Sequence, residues 1–78
     1  MDKLIEALKL AKPETDIEDF LSATDLYWQG IIDSMDIVII IDEINAAFGI
    51  ELGAADIGRA DFKTVESIYE LVRRFGGV

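Results

Sequence analysis

DSMDIVIIIDEINAAFG, residues 33–49, carries the clearest helical pattern of the chain. Its apolar residues recur at spacings of three and four, which is the period of an amphipathic helix. They are Ile37, Ile40, Ile41, Ile44, Ala47 and Phe48. The run IVIII is β-branched and by itself favours a strand, but the apolar stripe continues beyond it with helical period and without alternation. We therefore predict a helix from Asp33 to Phe48, followed by Gly49 as its C-cap.

Two further helices are predicted towards the ends of the chain. The opening MDKLIEALKLAK has apolar residues at helical spacing, and Pro13 ends that helix. These residues are Leu4, Ile5, Leu8 and Ala11. A last helix is predicted from about Lys63 to Phe75, with Asp61 or Thr64 as its cap and Gly76-Gly77 after its end. Its inward side chains are predicted to be Val65, Ile68, Leu71, Val72 and Phe75.

The polar segment after the first helix is predicted to be mostly loop. Thr15 with Glu18 has the pattern of a capping box, which would begin a short helical turn. Leu26, together with Trp28 or Tyr27, is expected to reach the core from this loop.

A second connector, ELGAADIGRAD at residues 51–61, allows one helical turn near residues 54–57. The predicted fold is therefore all-α. We expect a single domain, residues 1–78, folded as a small bundle of three to four helices with a long loop before the Asp33–Phe48 helix.

The composition excludes several kinds of chemistry. The 78 residues contain no cysteine and no histidine, which removes disulfides, thiolate nucleophiles, the usual general base and the usual metal ligand. Uncharged runs are too short to span a bilayer, and the opening residues lack the pattern of a secretory signal peptide. A cytoplasmic protein that is monomeric and not embedded in a membrane is the simplest expectation.

Charge is unevenly distributed along the chain. The formal charge is −9, and the segment from Pro13 to Gly58 contains eleven acidic residues but no lysine or arginine. Such a segment repels phosphate backbones, so nucleic acid is not an expected partner. It attracts a protein with a basic docking patch, mainly by raising the association rate. The same acids also favour solubility, and charge alone does not separate these two roles.

Ser34 stands at the start of the central predicted helix, between Asp33 and Asp36. As a nucleophile it would need a base and an oxyanion hole, and neither is evident in this chain. A calcium loop that began at Asp33 would need glycine at its sixth position, which is Val38. Taken by itself, the simplest role for Ser34 is that of a helix N-cap.

The helical period also defines an outward row on the same helix. Its members are Met35, Ile39, Asp42 and Ala46. Met35 and Ile39 are large apolar side chains one turn apart in an acidic neighbourhood. Such a pair indicates a docking patch more strongly than a single exposed apolar residue does.

The sequence Asp33-Ser34-Met35, within GIIDSM at the start of a helix, is similar to the attachment motif of acyl and peptidyl carrier proteins. The resemblance extends over nearly the whole chain. It includes the short first helix, the long loop that ends in DLYWQGIIDS, the helix that ends in AAFGIEL, and the last helix around FKTVESIYELV. The motif is short, but size, acidity and helix order accompany it.

The resemblance implies that a phosphopantetheinyl transferase attaches a covalent 4′-phosphopantetheine arm from coenzyme A to Ser34. The thiol of this arm would hold acyl or aminoacyl groups as thioesters, so the chain would be a carrier and not an enzyme. Asp33 is implied to help bind the divalent metal of the transferase, with no metal site of the chain's own. Contacts with partner enzymes are implied for Met35, Asp36, Ile39, Asp42 and Glu43.

The partners implied by the resemblance are the transferase, an acyl- or aminoacyl-loading ligase, and synthases or acyltransferases. These enzymes serve fatty-acid, polyketide, nonribosomal-peptide or cell-envelope biosynthesis. Fatty-acid carriers usually present more acids along this helix, whereas Ile39 stands where a glutamate is common, and Asn45 and Ala46 occupy positions where further acids would be expected. This departure favours a specialised discrete carrier, and carriers of the D-alanyl or aminoacyl type have similar helix starts. The alternative is an unmodified acidic interaction module of the same fold.

Overall fold

The structure is a computed structural model that describes residues 2–76, apart from the side chains of Ala54 and Arg59. Its four α-helices are α1, Asp2–Ala11; α2, Ile17–Ser22; α3, Ser34–Phe48; and α4, Val65–Arg74. Two 3₁₀ turns, Ala54–Asp56 and Arg59–Phe62, lie between α3 and α4. These described residues contain no strand, and the predicted small all-α bundle is confirmed.

Two predictions concern the chain as a whole. The predicted single domain covers residues 1–78, of which Met1, Gly77 and Val78 lie outside the described residues. The prediction that Gly76-Gly77 follows the last helix therefore lies partly outside them as well. Within residues 2–76, no helix combines the length and the apolar character that a membrane span requires.

Helix α3 is bounded by two well-formed caps. Asp33 is its N-cap, and the side chains of Asp33 and Asp36 each accept a hydrogen bond from the backbone N–H of the other. At the other end Gly49 adopts the left-handed conformation, with φ of 66°, and its N–H donates to the Asn45 carbonyl. The predicted helix and its glycine cap are confirmed. The expectation that Ser34 is the N-cap is wrong, because Asp33 holds that place and Ser34 is the first helical residue.

Helices α1 and α3 form the most extensive helix pair of the fold. They run in opposite directions. Lys12, just after α1, contacts Asp36 in the first turn of α3, whereas the ammonium of Lys3 lies 6.0 Å from the ring centre of Phe48 at the end of α3. The pair therefore places the end of α1 beside the start of α3, where Ser34 lies.

The core is apolar and draws on every helix. Its fully buried side chains include Leu4, Leu8, Phe20, Leu26, Ile32, Ile40, Ile44, Phe62, Val65, Ile68, Leu71 and Val72. Ile5, Ala11, Ile37 and Phe48 are only partly buried at its edge. The described residues leave no polar or charged residue fully buried, so the core is held together by apolar burial.

Three of the core predictions are wrong. Ala47 is exposed because it lies at the edge of the apolar stripe of α3 and near the end of the helix. Phe75 is exposed because α4 ends at Arg74 and Phe75 is the residue after it. Leu26 is buried as predicted, but Tyr27 and Trp28 beside it are both exposed.

The connectors contain more helix than their sequences indicate. The short helix α2 exists, but its N-cap is Asp16, which makes no side-chain cap hydrogen bond, so the Thr15 capping box is wrong. Burial of Phe20 ties this short helix to the core in place of a cap. The first 3₁₀ turn agrees with the turn expected near residues 54–57, whereas the second was not expected. Thr64 caps α4 through reciprocal hydrogen bonds with Ser67.

Asn45 braces the turn that follows α3. Its side-chain NH₂ donates to the Leu52 carbonyl at 3.0 Å, and its Oδ1 accepts from the Leu52 N–H at 2.8 Å. A carboxylate at this position has no N–H to donate to the carbonyl. Folding alone therefore accounts for an amide at this position.

We expect Gly49→Ala to lower the free energy of unfolding by about 1 kcal/mol, because the left-handed conformation is costly for an L-residue with a Cβ. An added Cβ would meet no atom within 4 Å, so the cost comes from the backbone alone. Urea denaturation monitored by circular dichroism measures the change.

Gly53→Ala is the matched control for this substitution. Gly53 does not have a positive φ, and its added Cβ would make an ordinary contact of 3.6 Å with Asp56 Oδ2. The expected change is within about 0.5 kcal/mol. Equal losses in both variants would contradict the role given to the left-handed cap.

Candidate functional site

Ser34 presents a hydroxyl that the fold does not use. It is exposed at the first position of α3, and its Oγ makes no hydrogen bond within residues 2–76. Ser67, by contrast, is held at the start of α4, where its Oγ lies 2.9 Å from the Asp61 carbonyl and 2.8 Å from the Thr64 carbonyl. Ser22 ends the six-residue helix α2 and is exposed, without a helix N-terminus beside it.

The backbone around Ser34 suits an anion. The first N–H groups of a helix lack intrahelical acceptors. The N–H of Asp36 donates to Asp33 Oδ1, and that of Ile37 donates to the Asp33 carbonyl. The N–H groups of Ser34 and Met35 have no acceptor in the described part of the chain. They leave two donors, at the positive end of the helix dipole, next to the Ser34 hydroxyl.

The two aspartates beside Ser34 have different surroundings. Asp33 is exposed, and only its Oδ1 accepts a hydrogen bond, from the Asp36 N–H at 2.9 Å. Asp36 is mostly covered, and its Oδ2 accepts both the Asp33 N–H at 3.0 Å and the Lys12 ammonium at 2.6 Å. The hydrogen bond and charge of Lys12 lower the pKa of Asp36, and the same contact raises the pKa of Lys12. Asp33 therefore has an oxygen without a hydrogen-bond partner and no cation beside it among the described residues, whereas the charge of Asp36 is paired with Lys12.

The outward row predicted on α3 is present. Met35 is 73% exposed and Ile39 is 40% exposed, and the row continues through the exposed residues Asp42 and Ala46. Glu43 lies beside the row and is half-buried. The structure thus brings apolar and acidic side chains together on the face that begins at Ser34.

An apolar pocket of about 450 Å³ opens beside the first turns of α3. Its lining consists of Tyr27, Ile37, Val38, Ile41, Ile57, Gly58 and Phe62. Ile37 and Val38 follow Ser34 by three and four residues, so they lie one turn along the same side of the helix. The pocket is therefore reached from Ser34 without crossing to another face of α3.

The wall of the pocket opposite α3 is held by one carboxylate. Asp61 accepts the Gly58 N–H at 2.8 Å through Oδ2 and the Arg74 guanidinium at 2.7 Å through Oδ1. This links the second 3₁₀ turn to the last turn of α4. Phe62, which is buried, anchors the same turn in the core.

Sequence reasoning missed Lys12 and the pocket. Lys12 is the last basic residue before the segment without lysine or arginine, but that position does not indicate which acid it contacts. The pocket combines residues from the first loop, α3 and the second connector, which are far apart in the chain. Only the packing of these three segments brings its lining together.

The residues around Ser34 fit a phosphopantetheine group. The serine hydroxyl is exposed and unused, two backbone donors favour a phosphodiester, and an apolar pocket lies next to them. A family model described as the phosphopantetheine attachment site matches residues 2–72 of the chain. The comparisons with curated proteins and with solved structures give no match.

The chain therefore belongs to the phosphopantetheine attachment family, to which acyl carrier proteins belong. A domain of this family is the site of covalent 4′-phosphopantetheine attachment. Such domains carry groups for other enzymes and are in general not catalysts themselves.

We expect Lys12→Met to lower the free energy of unfolding at pH 7 by about 1 kcal/mol, because it removes a partly buried ion pair. The lowered pKa of Asp36 contributes stability above its unfolded value of 3.8, and this contribution is lost as pH falls through the lowered pKa. The raised pKa of Lys12 keeps its own contribution in place below 10.5. The difference between the parent and the variant should thus disappear in strong acid.

Urea denaturation at pH 7 and at a pH well below 3.8 measures this dependence. Lys9→Met is the control, since it removes the same charge from the exposed side of α1 without breaking an ion pair of the described residues. A loss of stability in Lys12→Met that is equal at both pH values would rule out the ion pair as its cause.

Proposed function

We propose that Ser34 is the attachment residue and that the protein is a discrete carrier of acyl groups. The observation that carries this proposal is the unused, exposed hydroxyl of Ser34 at the start of α3, one turn from an apolar pocket. The attached arm supplies a thiol that holds the cargo as a thioester, which the cysteine-free chain itself lacks.

The pocket favours cargo with an apolar chain. Six of its seven lining residues have large apolar or aromatic side chains, and its volume of about 450 Å³ suits a hydrocarbon chain. Burying such a chain stabilises the loaded carrier by about 0.8 kcal/mol for each methylene removed from water. A small polar aminoacyl group gains nothing comparable there. We therefore propose an acyl carrier in preference to a D-alanyl or aminoacyl carrier.

Each residue near Ser34 has a distinct proposed role. The Ser34 hydroxyl is the acceptor of the arm, and the N–H groups of Ser34 and Met35 stabilise the phosphodiester charge. The free oxygen of Asp33 contacts the divalent metal of the transferase. Ile39 belongs to the partner-docking face.

The rest of the partner-docking face is Met35, Asp42 and Glu43. Asp36 was predicted as a further partner contact, and its pairing with Lys12 points to a role inside the fold instead. The acidic segment attracts partners with a basic surface, and the exposed apolar side chains add contact area once the partner is bound.

The proposed partners are a phosphopantetheinyl transferase, an acyl-loading ligase, and a synthase or acyltransferase that receives the acyl group. These enzymes would belong to fatty-acid, polyketide, nonribosomal-peptide or cell-envelope biosynthesis. We propose that the protein acts as a cytoplasmic monomer, and that the acidic segment excludes nucleic acid as a partner.

Incubation with coenzyme A, magnesium and a phosphopantetheinyl transferase of broad specificity should add one phosphopantetheine unit to the parent chain. Intact-protein mass spectrometry measures the gain. Ser34→Ala should show none and should fold normally, because the Ser34 hydroxyl makes no hydrogen bond in the described structure. Ser22→Ala, which changes another exposed serine, should be modified like the parent.

An unchanged mass with two unrelated transferases would contradict the carrier function. It would favour the alternative, an unmodified acidic interaction module of the same fold. A gain that persists in Ser34→Ala would retain the carrier function but move the attachment to another residue.

Acyl cargo of increasing length, attached from acyl-coenzyme A, should raise the melting temperature progressively. Val38→Glu should reduce this dependence, because Val38 lines the pocket and a charge there opposes apolar burial. Val38 is 58% exposed, so the unloaded variant should remain folded.

Ile39→Glu is the matched control, since Ile39 is also exposed but is absent from the pocket lining. It should retain the length dependence and instead slow loading by the partner ligase. Melting curves of the loaded proteins give the first result. A melting temperature independent of acyl length in the parent would argue against the pocket as the cargo site.

A further inference from the structure

The ion pair between Lys12 and Asp36 joins two elements at the attachment residue. Lys12 prolongs the last turn of α1, since its backbone N–H donates to the Leu8 carbonyl at 3.0 Å. Its ammonium lies 2.6 Å from Asp36 Oδ2, in the first turn of α3. The side chains of Lys12 and Asp36 are only 18% and 16% exposed, so both are largely shielded from water. This pair is far less exposed than the Arg73–Glu70 pair of α4.

The same carboxylate oxygen also belongs to the cap of α3. Asp36 Oδ2 accepts the Asp33 N–H at 3.0 Å, and the Asp36 N–H donates to Asp33 Oδ1 at 2.9 Å. Lys12 therefore contacts the capping box of Asp33 and Asp36, which encloses the backbone of Ser34. Its ammonium orients the Asp36 carboxylate towards α1 and fastens the first turn of α3 to the end of α1.

Lys12 also determines the net charge around the first turn of α3, where Ser34 lies. From Pro13 to Gly58 the chain has no lysine or arginine, so neither the loop before Ser34 nor α3 itself supplies a cation. Without Lys12, two carboxylates would face an incoming phosphate with no compensating charge. With Lys12 in place, the charge of Asp36 is neutralised, and Asp33 is the carboxylate of this turn without a cation partner among the described residues.

We propose that Lys12 is a positioning residue for attachment of phosphopantetheine to Ser34: it neutralises Asp36 and fixes the first turn of α3, which leaves Asp33 as the carboxylate whose charge is not paired. This inference rests on the proposed function of Ser34. In the reaction, Ser34 Oγ forms a bond to the phosphorus that bears the pantetheine arm, and the diphosphate bond of coenzyme A breaks. The Ser34 proton passes to a base of the transferase, and adenosine 3′,5′-bisphosphate leaves.

The test compares rates of modification by one transferase with coenzyme A and magnesium. Lys12→Met should lower kcat/KM by about tenfold, since small displacements and uncompensated charge at the reacting group are costly. Lys12→Arg keeps the charge and should restore most of the rate. Lys9→Met removes a neighbouring exposed charge of α1 and should leave the rate unchanged. Circular dichroism establishes that every variant is folded at the assay temperature.

A double-mutant cycle with Asp36→Asn separates positioning from general destabilisation. Asparagine has no charge to neutralise and still accepts a hydrogen bond, so Lys12→Met should have little effect on kcat/KM in the D36N background. The magnesium concentration for half-maximal rate and the maximal rate should both fall in Lys12→Met alone, because an uncompensated Asp36 offers the metal a second, unproductive ligand beside Asp33.

Equal rates for Lys12→Met and the parent would overturn the proposal. So would an equal loss of rate in the D36N background, because Lys12 would then not act through Asp36. Failure of the parent chain to be modified at Ser34 is a different result, which overturns the proposed function and removes the basis for a role of Lys12.

Discussion

The reciprocal hydrogen bonds between Asp33 and Asp36 determine where α3 begins, and the chemistry of the site depends on that point. A serine that capped the helix would have its Oγ occupied by a backbone N–H. Because Asp33 supplies the cap, Ser34 moves one position into the helix and its hydroxyl remains free. The same cap leaves the N–H groups of Ser34 and Met35 without acceptors. One local motif therefore produces both an available hydroxyl and a backbone environment that would stabilise the phosphodiester of the proposed modification.

Helix α3 has three faces with different surroundings: the core, the pocket and the solvent. Burial of Ile40 and Ile44 orients the helix against the core and so sets the direction of every other side chain. Ile37 and Val38 turn towards the pocket, and Met35 and Ile39 turn outward. Because successive residues are rotated by about 100°, Ser34 at the start of the helix borders both the pocket and the outward face. This arrangement suits the proposed carrier, whose cargo would be sheltered on one side of α3 and whose partners would be recognised on the other.

Much of this fold was predictable from periodicity and caps. The stripe of α3, the Gly49 cap and the stripe of α4 are local patterns, and each is confirmed. The wrong predictions concern residues whose burial is not determined by local sequence patterns. Ala47 and Phe75 lie at helix ends, and Trp28 lies in a loop whose contacts depend on packing. The role expected for Ser34 came from the resemblance of its motif to that of a known family. The Lys12–Asp36 pair, which spans 24 residues, and the pocket, which needs three segments, follow only from how α1, α3 and the connector pack.

The two walls of the pocket are held by different kinds of interaction, and this determines which wall moves more easily. The α3 wall is continuous with the core, and displacing it would expose Ile41 and its buried neighbours to water. The opposite wall, formed by Ile57, Gly58 and Phe62, is anchored by Phe62 but shaped by the hydrogen bonds of Asp61. Hydrogen bonds of this kind are each worth about 1 kcal/mol net, because water replaces them when they open. Moving residues 57–61 about the Phe62 anchor therefore costs less than moving α3. If the pocket receives an apolar chain, as proposed, the chain can enter and leave while α3, with Ser34 and the proposed docking face, stays in place.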